Sequence, residues 1–405
     1  MRKSVLALFL ALLAAAPLCP AQPKRPMTPD AKRPMTFDDM MAMKRLGETA
    51  VSPDGKWLAY SVTTVNLDQN TKTAELWLQA IAGGDPIKLA VARSGDSGVQ
   101  FAPEGKRILF LSNRSGSQQI WLASFDSATG ATGNPYNAAP AGGPFQLTHN
   151  TVEPDNAKWS PDGKFIIFTA AVYPDCPAFT EEAASEGSQP DKCNADRDTA
   201  LAGSKVKAQI FTHLLYRHWN HYTGDKRSHL FYVTVENSSP KTLLWRDLIP
   251  NDLHDVPPFS LEGGGGFAFA PDSKELAFTE NLDPEPAISV SAKIFTLDLT
   301  NPAAKPVVVS NSQGGNFNPA YSPDGKYLAW RSETRAGYES DKFRLMLYDR
   351  EAKTIKDLLP KFDNWVDEFA WKIDSSAILY VYGVAGETEI RFVGISSGGR
   401  SILEF

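Results

Sequence analysis

The chain has 405 residues, which is enough for two or three ordinary domains or for one large repeat domain. Its 47 acidic and 41 basic residues give a net charge of −6. This balance argues against nucleic-acid and anionic-membrane partners, because both require a basic face. The 29 glycines and 29 prolines suit an all-β protein with many turns.

Residues 1–21 have the features of a signal peptide. Arg2 and Lys3 precede an apolar run, residues 5–16, that is too short to span a bilayer, and residues 19–21 form a small-x-small cleavage site. We therefore predict a secreted or periplasmic protein without a membrane span. A lipid anchor on Cys19 is the alternative, although the Pro-Leu pair before it makes a poor lipobox.

The next two segments are predicted to differ in order. Residues 22–36 are Pro-rich and charged and have nothing to bury, so we expect a disordered leader. Residues 37–46 have helical apolar spacing and acids in the first turn, which indicates a short helix.

One pattern recurs along the rest of the chain. Copies of a strand–turn–strand unit centred on Ser/Ala-Pro-Asp/Glu-Gly start at residues 51, 101, 159, 269 and 321, and a weaker copy starts at residue 371. Pro presets φ, the acid accepts hydrogen bonds from the turn backbone, and Gly takes a positive φ. Each copy belongs to a unit of about fifty residues that reads as four antiparallel strands.

The six units predict an all-β fold, a β-propeller of six four-stranded blades over residues 37–405. A lone blade would leave both apolar faces in water, so the blades must stack around an axis. The alternative is a seven-bladed ring with one blade missing, since the sixth unit reaches the last residue.

The third unit carries a long insertion, residues 172–228, between its second and third strands. An insertion of this length in a compact repeat is usually functional. Its first half is acidic and is predicted to be a loop, in which Cys176 and Cys193 are expected to form a disulfide in an oxidising compartment. Two free thiols are the alternative. We predict no metal at these cysteines because no further ligand lies at suitable spacing.

The second half of the insertion is rich in aromatic residues and histidines. We expect residues 205–222 to form an arm over one mouth of the propeller or its edge, with part of Phe211, Leu215 and Trp219 exposed. His218, Trp219 and His221, beside Arg217, could line a ligand site or bind a metal, and packing of the arm against the propeller is the alternative that we favour.

Two further patterns are candidate sites. Glu181 and Glu182 could hold a cationic group such as the amino terminus of a peptide, and solvated loop charge is the alternative. The G-x-S-x-G motif around Ser396 ends a predicted strand, and no His follows it, so we interpret it as a hairpin turn. We predict no catalytic triad, cofactor or metal in this chain.

Residues 37–62 (FDDMMAMKRLGETAVSPDGKWLAYSV), the S-P-D-G-K turns and residues 214–233 (LLYRHWNHYTGDKRSHLFYV) resemble the amino-terminal propeller of the prolyl oligopeptidase family of serine peptidases. The acylaminoacyl-peptidase and dipeptidyl-peptidase 5 branch is the most similar. The resemblance implies a propeller that caps an α/β-hydrolase domain, restricts access to short peptides and helps bind their amino end. The triad would lie in that hydrolase domain, which this sequence lacks.

The resemblance therefore leads us to expect a non-catalytic, gating propeller of a truncated or split peptidase. Its expected partners are short peptides or an α/β-hydrolase domain. The alternative is a periplasmic protein-binding propeller that resembles TolB, which shares the S-P-D-G repeat.

Overall fold

The structure is a computed structural model, and it describes residues 33–136, 142–180, 187–212, 214, 216–218, 221–235, 245–258, 266–395 and 400–402. The chain divides into two compact units, residues 1–43 and residues 44–405. None of the helices in these ranges has the length and apolarity needed to cross a membrane.

The described part of the first unit contains one short helix, α1 (Phe37–Ala42). Thr36 caps it: the Thr36 side chain accepts a hydrogen bond from the amide of Asp39, and the Asp39 carboxylate accepts from the Thr36 amide at 2.8 Å. The helix predicted for residues 37–46 is thus too long, because Met43 already has an extended backbone.

The second unit is a β-propeller of six four-stranded antiparallel blades, which confirms the predicted fold. In each blade four strands pair one after another in chain order, and the second blade has one additional short strand. The strands of the first three blades are β1 (Arg45–Val51), β2 (Trp57–Asn66), β3 (Thr71–Ala80), β4 (Ile87–Lys88), β5 (Ser97–Phe101), β6 (Arg107–Ser112), β7 (Gln119–Phe125), β8 (Thr132–Gly133), β9 (Phe145–Gln146), β10 (Asp155–Trp159), β11 (Phe165–Val172), β14 (Arg227–Thr234) and β15 (Trp245–Asp247).

The last three blades follow the same order without a long insertion. Their strands are β16 (Phe267–Phe269), β17 (Glu275–Glu280), β18 (Lys293–Asp298), β19 (Val307–Val308), β20 (Asn316–Tyr321), β21 (Tyr327–Ser332), β22 (Arg344–Asp349), β23 (Thr354–Asp357), β24 (Glu368–Trp371), β25 (Ala377–Val384), β26 (Glu387–Gly394) and β27 (Arg400–Ile402). A short 3-10 helix, Pro286–Ile288, lies between β17 and β18. In the second blade two short strands, β8 and β9, both pair with β7.

The recurring turns have the hydrogen bonds that the sequence predicts. In the third blade Ser160 Oγ donates to Asp162 Oδ1 at 2.7 Å, and the same oxygen accepts the amide of Lys164 at 3.2 Å. Gly163 takes a φ of 68°. The copies that start at residues 269 and 371 have Ser273 and Ser375 in place of glycine at the positive-φ position, with φ values of 61° and 60°.

Those two serines also join neighbouring blades. The amide of Asp162 donates to Ser273 Oγ at 3.0 Å, and the amide of Asp324 donates to Ser375 Oγ at 3.0 Å. Apolar clusters between adjacent blades complete the stack; one of them contains both Leu109 of β6 and Phe168 of β11. Burial of such side chains is the main favourable contribution to blade stacking.

Successive turns of an antiparallel blade alternate between its two ends, so the propeller has two different faces. One face carries the S-P-D-G turns and the turns between third and fourth strands. The other carries the connections between second and third strands and those from one blade to the next. We call the latter the connection face; of the described residues it includes 173–180, 187–212, 214, 216–218, 221–226, 248–258, 281–292 and 333–343.

The insertion proper is residues 173–226, because Val172 and Arg227 still pair in the ladder between β11 and β14. Its first half is not only loop, as the sequence suggested: it contains a 15-residue helix, α2 (Gln189–Gly203). A disulfide joins Cys193 of α2 to Cys176, which follows β11. The second half contains a two-stranded hairpin, β12 (Arg217–His218) and β13 (His221–Tyr222).

Candidate functional site

A cavity of about 950 Å³ opens on the connection face. The insertion, the connection between the third and fourth blades, and the connection between β17 and β18 form its walls, while Phe317 and Glu333 of the fifth blade also line it. Its volume lies in the range of sites that bind small ligands. We call it the acidic cavity because acidic side chains outnumber arginines in its lining.

Carboxylates outnumber basic side chains in this lining. Six acids and two arginines contribute to it; the acids are Asp175, Asp225, Asp255, Asp283, Glu333 and Glu339. Arg197 forms an ion pair with Asp175, and Arg227 donates to the carbonyls of Leu253 and Gly224 at 3.0 and 2.9 Å. The remaining excess of negative charge favours a cationic ligand.

Part of the lining is apolar. Pro284, Pro286 and Val290 belong to the connection between β17 and β18, and Phe317 of β20 also lines the cavity. Phe317 packs edge-on against Phe343, with 5.9 Å between ring centroids, which fixes its orientation. A ligand with one cationic end and an apolar side chain would match both parts of the cavity.

Buried polar contacts hold the insertion in place beside the cavity. Asp191 of α2 is buried, and its Oδ1 accepts the amide and the hydroxyl of Thr151 at 2.8 and 2.7 Å. Asn194 Oδ1 accepts the amide of Tyr173 at 2.9 Å. The Tyr173 ring lies 4.1 Å from the Arg197 guanidinium, a cation–π contact. The bonds to Thr151 hold α2 against the connection before the third blade, and the contacts with Tyr173 hold it against the segment that directly follows β11.

The arm predicted from the sequence forms a small aromatic cluster. Phe211 packs against Tyr216 and Tyr222, with ring centroids 5.4 and 5.6 Å apart. Phe211 and Tyr222 remain 36% and 58% exposed. Leu214 of this segment lines the acidic cavity.

The candidate residues chosen from the sequence are only partly placed. Arg217 is exposed in β12, where it pairs with Tyr222. Glu181, Glu182, Leu215, Trp219 and Ser396 lie outside the described residues, and so does the side chain of His218. Their proposed roles therefore stay predictions.

The structure brings together a cluster that the sequence reading missed. Asp252 and His254 lie in the connection after β15, Glu280 ends β17, and one donor atom from each lies within 4.8 Å of the others. Burial, followed by the hydrogen bond and charge of Asp252, raises the pKa of Glu280 to about 8. The Asp-x-His spacing was the available signal, but its partner Glu280 is distant in sequence.

A buried histidine supports this cluster from the blade. His229 Nδ1 lies 2.6 Å from Asp247 Oδ2, and His229 Nε2 lies 3.0 Å from the carbonyl oxygen of Asp252. The His229 ring thus connects β15 to the loop that carries Asp252 and His254.

Comparison with known sequences relates the chain to a group of peptidases. No protein-family model matches it. Dipeptidyl-peptidase 5 of Porphyromonas gingivalis is 25% identical over 366 residues, which cover 90% of this chain and 48% of that protein. Dipeptidyl-peptidase 5 of Trichophyton equinum is 23% identical over 349 residues, or 82% of this chain and 43% of that protein. The chain spans about half the length of the curated relatives it matches.

Solved structures show the same fold at low identity. Pyrococcus horikoshii acylaminoacyl peptidase aligns with a TM-score of 0.57 and 11% identity over 90% of this chain and 46% of that one. Prolyl oligopeptidase B from Galerina marginata aligns with a TM-score of 0.55 and 12% identity over 91% and 43%. TolB from Acinetobacter baumannii reaches a TM-score of only 0.39, which carries no argument for the TolB alternative. The chain is therefore a six-bladed propeller homologous to part of dipeptidyl-peptidase 5 and similar in fold to the propellers of acylaminoacyl peptidase and prolyl oligopeptidase.

Proposed function

We propose that this chain is the gating propeller of an exported oligopeptidase- or dipeptidyl-peptidase-like serine peptidase, and that it helps bind short peptides for an α/β-hydrolase domain. The observation that carries the proposal is the acidic cavity on the connection face of a propeller related to dipeptidyl-peptidase 5 over 90% of the chain. The bond-breaking chemistry is assigned to the hydrolase domain.

The cavity suits the amino end of a short peptide. A free amino terminus is a cation, so the excess of carboxylates in the lining attracts it, and low-dielectric walls strengthen that attraction. The apolar part of the lining, including Val290 and Phe317, can take the first side chains. Larger, folded substrates do not fit a volume of about 950 Å³.

Two features support an exported protein. The first 21 residues have the composition of a signal peptide. The Cys176–Cys193 disulfide is of the kind that persists in an oxidising compartment.

Calorimetric titration of the chain with a tripeptide tests the proposal. We expect the free-amine peptide to bind and its amino-acetylated form to bind at least about tenfold more weakly, because acetylation removes the charge that the carboxylates attract; tenfold corresponds to about 1.4 kcal/mol. Asp283→Asn, in the lining, should lower the affinity for the free-amine peptide by a similar factor. Glu351→Gln, in the turn between β22 and β23 on the opposite face, is the control and should change nothing. Equal affinity for the two peptides would contradict the proposal.

A further inference from the structure

Asp252, His254 and Glu280 place two carboxylates and one imidazole around a common point. Asp252 Oδ1 lies 2.8 Å from His254 Nδ1, and His254 Nδ1 lies 3.9 Å from Glu280 Oε1. A tetrahedral zinc ion with bonds of about 2.0–2.1 Å requires donor atoms about 3.3 Å apart. The two observed separations lie on either side of that value.

Glu280 supplies a second observation. Its side chain is only 3% exposed, and its Oε1 atom, the one directed at His254, has no hydrogen-bond partner among the described residues. A buried carboxylate oxygen without a donor is costly and rare in folded proteins. A cation at this point would provide the missing partner and compensate two adjacent carboxylates.

The opposite side of the cluster is open. The His254 side chain is 30% exposed and lines the acidic cavity, so a coordination position can face the cavity and hold water or a ligand oxygen. The amide of His254 donates to Asp252 Oδ1 at 2.9 Å, which fixes the two residues relative to each other. His229 holds the carbonyl of Asp252 from the buried side, at 3.0 Å.

We propose that Asp252, His254 and Glu280 form a binding site for a divalent cation beside the acidic cavity. One imidazole nitrogen with two carboxylate oxygens is a donor set that suits Zn²⁺ better than Ca²⁺, which takes six to eight oxygen ligands. Three protein ligands leave a fourth position of a tetrahedral ion open, as in zinc sites that bind an exchangeable molecule. The site stands independently of the peptide-binding proposal.

The test is calorimetric titration of the metal-stripped 405-residue chain with Zn²⁺ alone, together with Glu280→Gln and His254→Gln. We expect one zinc ion per chain whose affinity falls at least about 100-fold in each variant. His149→Gln removes another exposed histidine and is the control, because surface histidines also bind zinc weakly; it should keep the ion.

The proposal would be overturned if Glu280→Gln bound zinc with the same stoichiometry and affinity as the unchanged chain. Glutamine retains a donor for Asp252, so we expect Glu280→Gln to fold, and circular dichroism checks this. If Glu280→Gln does not fold, the zinc affinity of His254→Gln decides the question. The His254 side chain is partly exposed at the edge of the cavity, so we expect its replacement to leave the fold intact.

Discussion

Removing the disulfide of the insertion should loosen α2 by a predictable amount. Cys176 and Cys193 are separated by 17 residues, and for a closed loop of this length the chain-entropy relation gives a stabilisation of about 3 kcal/mol. The double substitution Cys176→Ser, Cys193→Ser avoids a leftover thiol. Asp191 and Asn194 keep their hydrogen bonds in the variant, so α2 should still form and the loss should appear as easier local opening.

Native-state hydrogen exchange, followed by mass spectrometry, measures that opening. A loss of about 3 kcal/mol corresponds to an increase of about 150-fold in the exchange rate of the α2 amides. The amides of β21, in the fifth blade, serve as an internal control and should exchange at the same rate in both chains. An unchanged exchange rate of the α2 amides would show that the disulfide does not stabilise α2. Two free thiols in protein isolated from the periplasm would show that the disulfide does not form.

Two further predictions concern the blade turns and the arm. Ser273→Ala should lower the free energy of unfolding, measured by urea titration, by about 1 kcal/mol, because the amide of Asp162 loses its acceptor. Ser273→Gly should lower it by less, because glycine adopts the positive φ at that position more readily. Equal losses in the two variants would contradict this prediction. Replacing Phe211 and Tyr222 by serine should reduce binding of a hydrophobic dye, because both rings belong to the exposed aromatic cluster of the arm. Ile373→Ser, at an exposed position in the turn between β24 and β25, is the control, and an equal reduction there would argue against an arm-specific patch.

The blades were predictable because each depends on local chemistry that the sequence repeats. Ser160, Asp162 and Gly163 form their turn within four residues, and alternation of apolar residues marks the strands on either side. The fourth strands are less regular, since two short strands share β7 in the second blade.

The helix in the insertion was missed because it lacks the apolar stripe by which helices are recognised. Its buried residues are Pro190, Asp191 and Asn194, so it is held by hydrogen bonds and a disulfide and not by an apolar face. Ser188 before a Pro and an Asp was the one local signal for a helix start. The aromatic arm, in contrast, was predictable from the high aromatic content of residues 205–222.

The cluster of Asp252, His254 and Glu280 could not be derived from local pattern. Its members come from a blade-to-blade connection and from the end of the next blade's second strand, and only stacking of the blades brings them together. The acidic cavity has the same origin, since its walls come from connections of several blades. Sites of this kind form where connections from different blades meet, and local sequence patterns do not show which connections will be neighbours.

The most direct test of the account is the hydrogen-exchange footprint of a bound tripeptide on this chain. We predict slower exchange in residues 253–258 and 281–290, two segments that contribute lining residues to the acidic cavity, and no change in residues 349–354 on the opposite face. Protection confined to the opposite face, or no protection anywhere at saturating peptide, would contradict the claim that the connection face receives the substrate's amino end.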